Sequence, residues 1–206
     1  MKQTSILRFG CTILYAILMI SCTSTGTMPT YSKVDEAYQG IPVSDILVIG
    51  IVDKDRNRRN FERRFVAQLE SAGVEAISSA DVISMAADLK LEKADILKAV
   101  RKMNNDAIIV THLTGIRGKE GLTQNDSATK NYYDFYSSRY NSQDPGYFST
   151  TSTLRLETNL YDATTGKRIW TGQSKTWSRG SDHQIIDDII RVVIDELKRN
   201  KLISPK

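Results

Sequence analysis

Apolar residues in the first half of the chain recur in patterns that predict alternating strands and helices. Residues 46–52 (ILVIGIV) form a continuous apolar run, which is typical of a central strand covered on both faces. The next apolar residues share one face of a helix at spacings of four, four and three: Phe61, Phe65, Leu69 and Ala72. Gly73 suits a helix end, and residues 74–78 (VEAIS) then return as a strand. This pattern predicts a strand, helix, strand unit.

A second helical stretch covers residues 81–103 and is interrupted near Leu89, and residues 106–116 (DAIIVTHLTGI) form the next strand. After a long polar interruption, four residues alternate with polar neighbours: Leu154, Leu156, Thr158 and Leu160. Such alternation predicts a strand with one buried and one solvent-facing side. The DATTG turn at residues 162–166 leads into a returning strand at residues 169–177, so the two strands are predicted to form a hairpin.

The last apolar positions predict a closing helix that packs on the sheet: Ile186, Ile189, Ile190, Val193 and Leu197. The complete order is therefore β-α-β-α-β, a long loop, a β-hairpin and a helix. We interpret it as a single α/β domain of mixed α+β character, in which helices pack on a mixed β-sheet in a three-layer-like arrangement.

The amino terminus has the anatomy of an export signal. Lys2 and Arg8 supply a positive start, and residues 11–20 (CTILYAILMI) form an apolar run of ten residues that ends just before Ser21 and Cys22. A membrane-spanning helix needs about 20 apolar residues. We therefore predict a signal peptide at residues 1–21 rather than a spanning helix.

The tetrapeptide MISC at residues 19–22 resembles the lipobox of bacterial lipoproteins. The resemblance implies that Cys22 carries a lipid anchor with fatty-acyl chains such as palmitate and becomes the new amino terminus. The alternative is an ordinary signal peptide that is cut near a cysteine. Cys11 and Cys22 are the only cysteines, so the mature chain of 185 residues cannot form an internal disulfide and depends on its core.

Residues 22–42 are rich in Ser, Thr and other small polar residues and are predicted to be a flexible tether, which leaves residues 43–206 as the domain. In lipoproteins of double-membraned bacteria an Asp after the lipidated cysteine usually retains the protein on the inner membrane. Here that position is Thr23, so the resemblance implies an outer-membrane anchor with the domain facing the periplasm.

The phrases FERRFVAQLESAGV, NNDAIIVTHLTG and LETNLYDATTGKRIW, with the element order, resemble the TolB amino-terminal, curli-secretion lipoprotein and penicillin-binding-protein-activator group. The resemblance spans about residues 45–200. It implies a non-catalytic domain that docks other envelope proteins or assembles with itself. Residues 118–148 match nothing in that group.

The residue types give no sign of catalysis, of a metal site or of a cofactor. His112 shares a strand face with Ile108 and Val110 and is interpreted as a hydrogen-bonded core residue, and His183 as a solvated residue in a helix first turn. His183 and Asp187 are four apart, but zinc sites generally need three or four protein ligands. We therefore predict no catalytic and no metal-binding residues.

Residues 54–64 (KDRNRRNFERR) carry six basic residues but lack the glycines of a nucleotide loop. We interpret them as a solvated helix start whose charge is offset by Asp53, Asp55 and Glu62, with an acidic protein or a lipid headgroup as the alternative ligand. Removal of Lys2 and Arg8 lowers the basic count from 28 to 26 against 24 acidic residues, so the formal charge falls from +4 to +2. This balance predicts neither nucleic-acid nor nucleotide binding.

The long loop at residues 118–148 is rich in tyrosine. Its aromatic residues are set among Ser, Asn and Asp: Tyr132, Tyr133, Phe135, Tyr136, Tyr140, Tyr147 and Phe148. Tyrosine suits recognition surfaces because it combines rigid apolar area with a polar tip. Two interpretations stay open, namely a surface for a partner or glycan and a structural cover for the sheet.

The sequence thus favours a membrane-anchored envelope lipoprotein that acts as a non-catalytic protein-binding or assembly module. The alternative is binding of peptidoglycan or another polysaccharide through the Tyr-rich loop, and an envelope hydrolase is a third, less favoured reading.

Overall fold

A computed structural model of the chain describes residues 26–51, 55–84, 90–113, 132–134, 136, 153–177 and 182–204. The signal peptide predicted at residues 1–21 and the lipidation site Cys22 lie outside these residues. Among the described residues, the structure contains no helix with both the length and the apolar character needed to span a bilayer.

Strands and helices alternate along most of the domain. The strands are β1 (Gly26–Val34), β2 (Asp45–Ile51), β3 (Glu75–Ser78), β4 (Ala107–Leu113), β5 (Thr153–Asp162) and β6 (Arg168–Trp177). The helices are α1 (Asp55–Ser71), α2 (Ser79–Val82), α3 (Lys93–Met103) and α4 (Asp182–Arg199). The predicted mixed α/β class is confirmed, and the elements form a single domain.

The six strands form one mixed sheet in the order β1-β6-β5-β4-β2-β3. The strands β2, β3 and β4 run parallel to one another. The antiparallel pairs are β4 with β5, β5 with β6, and β6 with β1. The sheet therefore combines a parallel half, connected through helices, with an antiparallel half connected through a hairpin.

Helices cover the parallel half of the sheet on both faces, which explains why residues 46–51 are apolar without alternation. On one face α1 and α4 pack over a core that includes Val48, Phe65 and Ile190. On the other face α3 packs over Leu47 and Ile108. We call the second surface the α3 face.

The predicted hairpin is confirmed. Leu160 pairs with Trp170 and Asp162 ends the first strand. The Asp162 carboxylate accepts a hydrogen bond of 2.6 Å from the backbone N–H of Thr165, and Gly166 adopts a φ of 69°, which glycine tolerates without a steric penalty. The turn residues thus set the register of β5 and β6.

The predicted flexible tether is wrong over residues 26–34, which form β1. This strand pairs along its length with β6, with a bulge between Pro29 and Tyr31. The residues of β1 are mostly exposed, so their hydrophobic pattern carries no strand signal, and the strand is held by backbone hydrogen bonds to a segment about 140 residues away.

The prediction that one side of β5 faces the solvent is also mostly wrong. Arg155 is exposed, but Glu157, Asn159 and Tyr161 are buried, with exposed fractions of 9%, 0% and 0%. Tyr161 lies in the core of the α3 face, where the ring of Tyr132 packs edge-on against it. Both faces of β5 are therefore largely covered.

Candidate binding face

The parallel strands end beside a buried carboxylate, Glu62 of α1. Its carboxylate oxygens accept hydrogen bonds of 2.7–2.9 Å from the backbone N–H groups of Gly50 and Ala80 and from the hydroxyls of Ser78 and Ser79. The guanidinium of Arg58, also buried, lies 3.5 Å from the same carboxylate. Burial raises the pKa of Glu62, while Arg58 and these hydrogen bonds act in the opposite direction. The network joins α1 to β2 and to the segment after β3, and we interpret it as structural.

Three solvent-accessible arginines of α1 form ion pairs with acidic neighbours, as the solvated interpretation of this segment predicts. Arg59 contacts Asp55 at 2.6 Å, and Arg63 contacts Asp81 at 2.6 Å. The partner of Arg64 is Asp187 of α4, at 2.8 Å. Asp55 offsets positive charge as predicted. Glu62 pairs instead with the buried Arg58. Asp53 lies outside the described residues. These arginines border an open depression on the surface of α1.

The two histidines lie where the sequence places them. His183 is exposed in the first turn of α4, and His112 is buried on the α3 face of β4 with an exposed fraction of 7%. Asp187 pairs with Arg64 in the structure. Across the part of the chain that the structure describes, no three His, Cys, Asp or Glu side chains are grouped in a way that would hold a metal ion.

Two tyrosines of the long loop point into the protein. Tyr132 and Tyr136 are each 2% exposed and belong to the core of the α3 face. The hydroxyl of Tyr136 accepts a hydrogen bond of 2.7 Å from the backbone N–H of Leu91. Burial raises the pKa of Tyr132. The prediction that Tyr132 and Tyr136 belong to a binding surface is therefore wrong, because their side chains are buried and cover the sheet.

Tyr133 is the half-exposed member of this group. Its ring stacks on Tyr136 with centroids 6.3 Å apart, and the ammonium of Lys93 lies 5.9 Å from the ring centroid. Its hydroxyl is 3.4 Å from the carboxylate of Glu92. The other predicted binding residues, Phe135, Tyr140, Tyr147 and Phe148, lie outside the described residues.

A different surface stands out on the antiparallel half of the α3 face. Side chains that pair directly across antiparallel strands lie on the same side of a sheet. One such row joins Met28 of β1, Lys175 of β6 and Arg155 of β5. We call the following six residues the open face: Met28, Tyr31, Lys33, Arg155, Gln173 and Lys175.

The second row of the open face runs inward from Tyr31 to Gln173 and then to Glu157 and His112. Exposure falls along this row, from 42% at Tyr31 to 9% at Glu157 and 7% at His112. His112 and Glu157 are thus adjacent across two strands, but both are more than nine-tenths buried. The accessible part of the face therefore lies over β1 and β6 and extends to the exposed Arg155 near the start of β5.

Apolar and cationic side chains are combined on the open face. Met28 is 48% exposed, which is high for a large apolar residue on a strand. Lys33, Arg155 and Lys175 give the face three positive charges. The Nζ atom of Lys33 lies 3.8 Å from the carboxylate of Glu36, whose side chain is 91% exposed, a geometry that contributes little net stabilisation.

Sequence reasoning misses the open face because its residues come from β1 and from the β5–β6 hairpin, which are far apart in the chain. Arg155 is the one member that the hairpin pattern places on an exposed surface. Met28, Tyr31 and Lys33 fall in the segment that composition assigns to the tether. The register of β1 against β6 is a tertiary feature, and no local pattern in β1 reports it.

The fold is a mixed α/β sheet domain in which helices cover one face of the sheet and the parallel half of the other face. The strand surface of the open face stays accessible beside the edge strand β1. The structure of the PelC dodecamer from Paraburkholderia phytofirmans has a similar fold at 12% sequence identity, with a TM-score of 0.46, over 84% of this chain and 97% of the PelC chain. The lipoprotein GNA1162 from Neisseria meningitidis is similar at 17% identity, with a TM-score of 0.41, over 76% of this chain and 99% of that chain.

No family model matches the sequence, and no curated protein matches it. The two structural similarities concern the backbone fold alone. The resemblance to the TolB, curli-secretion and penicillin-binding-protein-activator group therefore stays a prediction.

Proposed function

We propose that this protein is a membrane-anchored, non-catalytic envelope lipoprotein that binds a protein partner through the open face. The observation that carries the proposal is the exposure of Met28 and Tyr31 on the edge strand β1. They lie beside Lys33 of the same strand, Lys175 of β6 and Arg155 of β5. Met, Tyr and Arg are enriched at protein interfaces relative to the remaining surface. A lipid on Cys22 would hold this face at the membrane, and Thr23 supports the outer membrane as the location.

The surroundings of the ionisable groups support a binding role over a catalytic one. The carboxylate of Glu62 accepts four hydrogen bonds, and Asp187 is paired with Arg64. His112 and Glu157 lie side by side but are buried. The burial of Tyr132 and Tyr136 removes two of the aromatic side chains on which glycan binding through the loop depends.

Site-specific photocrosslinking tests the proposal. A photoreactive amino acid in place of Tyr31, in the full-length chain expressed in cells, is expected to form a discrete adduct with one envelope protein. The matched control carries the same probe at Glu70, which is exposed on α1 on the opposite side of the sheet. Equal adduct patterns at the two positions, or no protein adduct at Tyr31, would contradict the proposal.

A further inference from the structure

The pairing of β1 with β6 leaves only a short link between the predicted lipid and the folded domain. Residues 23–25 separate Cys22 from Gly26, the first residue of β1. Successive Cα atoms lie about 3.8 Å apart, so the Cα atom of Gly26 is within about 15 Å of that of Cys22. An unpaired tether over residues 22–42 would reach about 70 Å at full extension. The formation of β1 therefore holds the domain close to a lipid on Cys22.

The link joins the domain at one end of the sheet, which we call the anchor end. Gly26 lies there and pairs with Trp177, the last residue of β6. The strands β2, β4 and β6 all end at the anchor end, because β4 and β6 each run antiparallel to β5 and β2 runs parallel to β4. Helix α1 follows β2 and α4 follows β6, so both helices begin there. The chain after α4 reaches the opposite end, where the carbonyl of Leu202 accepts a hydrogen bond of 2.8 Å from the N–H of Val43.

The length of the link leaves little space between the anchor end and a bilayer. The headgroup layer on each side of a bilayer is about 5–7 Å thick, and the link begins within it. A folded domain of this size is about 40 Å across. A link of at most about 15 Å cannot separate a body of this width from the surface to which it is anchored.

We infer that this three-residue link holds the anchor end against phospholipid headgroups, so that the domain stands on the membrane with the open face at its side. The inference rests on the proposed function and specifies how the open face is presented. With a rise of about 3.3 Å per strand residue, Met28 lies within about 22 Å of the Cα atom of Cys22 and Lys33 within about 40 Å. A partner therefore reaches the open face alongside the domain, in the layer of solvent next to the membrane.

Photoreactive residues at the two ends of α4 test this orientation. His183 in the first turn and Lys198 in the last turn are both exposed, and they lie about 22 Å apart along the helix axis. In native membrane vesicles, the full-length chain with the probe at position 183 is expected to form at least about fivefold more phospholipid adduct than the chain with the probe at position 198. Arg56 and Glu70, at the two ends of α1, are a second pair and are expected to differ in the same direction. A domain that lies on its side would give equal adducts within a pair.

Lengthening the link tests its role without altering the folded domain. A flexible Gly/Ser segment of about 20 residues between Thr25 and Gly26 is expected to lower the phospholipid adduct at position 183 at least about threefold, while the protein still sediments with the membranes. The matched control carries the same segment after Lys206 and is expected to keep the adduct of the unaltered chain.

Equal phospholipid adducts at positions 183 and 198, or an adduct at position 183 that the longer link leaves unchanged, overturn the inference. The proposed function stands in that case if the probe at Tyr31 still forms its protein adduct. An unaltered chain that does not sediment with the membranes overturns both.

Discussion

Replacement of Glu62 by alanine is expected to lower the free energy of unfolding by about 3–5 kcal/mol. The buried guanidinium of Arg58 loses its buried carboxylate partner and is left with Asp55, which lies 3.0 Å away and is partly exposed. The substitution also removes the acceptor for two backbone N–H groups and two serine hydroxyls around β2 and β3. Unsatisfied buried donors add to the loss because they give up their hydration without gaining a protein partner. Urea-induced unfolding followed by circular dichroism measures the change.

The matched control for this substitution is Glu70→Ala, which removes an exposed carboxylate from the same helix. It is expected to change the free energy of unfolding by no more than about 0.5 kcal/mol. The conservative variant Glu62→Gln keeps one acceptor oxygen and is expected to lie between the two. Equal stability of the Glu62→Ala and Glu70→Ala variants would show that the network does not hold α1 to the sheet.

Replacement of Trp170 by alanine is expected to destabilise the domain by about 3–5 kcal/mol, the range for removing a large buried aromatic side chain. Trp170 is 1% exposed, and its indole lies over Gly172, where an added Cβ would come within 2.2 Å of the ring. The indole N–H also donates a hydrogen bond of 2.9 Å to the hydroxyl of Ser32 in β1. The ring therefore both fills the core beneath α4 and fastens the edge strand that carries half of the open face.

This second role gives the Trp170→Ala variant a local signature. Trypsin is expected to cut after Lys33 faster in the variant than in the unaltered chain at a denaturant concentration where both remain folded, because β1 is less well held. The Trp170→Phe variant keeps a ring but loses the N–H, and it is expected to be destabilised less. If cleavage after Lys33 is unchanged in Trp170→Ala, the indole does not fasten β1.

The elements with a strong local hydrophobic pattern were predictable from the sequence. The apolar run of β2, the i, i+4 spacing of Phe61, Phe65 and Leu69 in α1, and the turn before β6 each correspond to an observed element. In each case the periodicity and the turn chemistry agree with the tertiary environment. Local and global preferences therefore coincide over most of the domain.

The features that escaped prediction depend on contacts between distant segments. The strand β1 is exposed and contains Pro29, so only its pairing with β6 defines it. Composition marks the loop tyrosines as suited to an interface, but the direction of Tyr132 and Tyr136 is set by Tyr161 and by the N–H of Leu91. The open face escaped prediction for the same reason, because residues of β1, β5 and β6 form it together.

Membrane fractionation of the Cys22→Ala variant tests most directly the central claim that a lipid anchor holds the binding face at the membrane. The account predicts that the unaltered protein sediments with the membranes, and that the variant is released into the soluble fraction with an unchanged circular dichroism spectrum. It also predicts that the released variant loses most of the protein adduct at position 31. Retention of the folded variant in the membrane fraction would contradict the lipid anchor and the proximity of β1 to the membrane that follows from it.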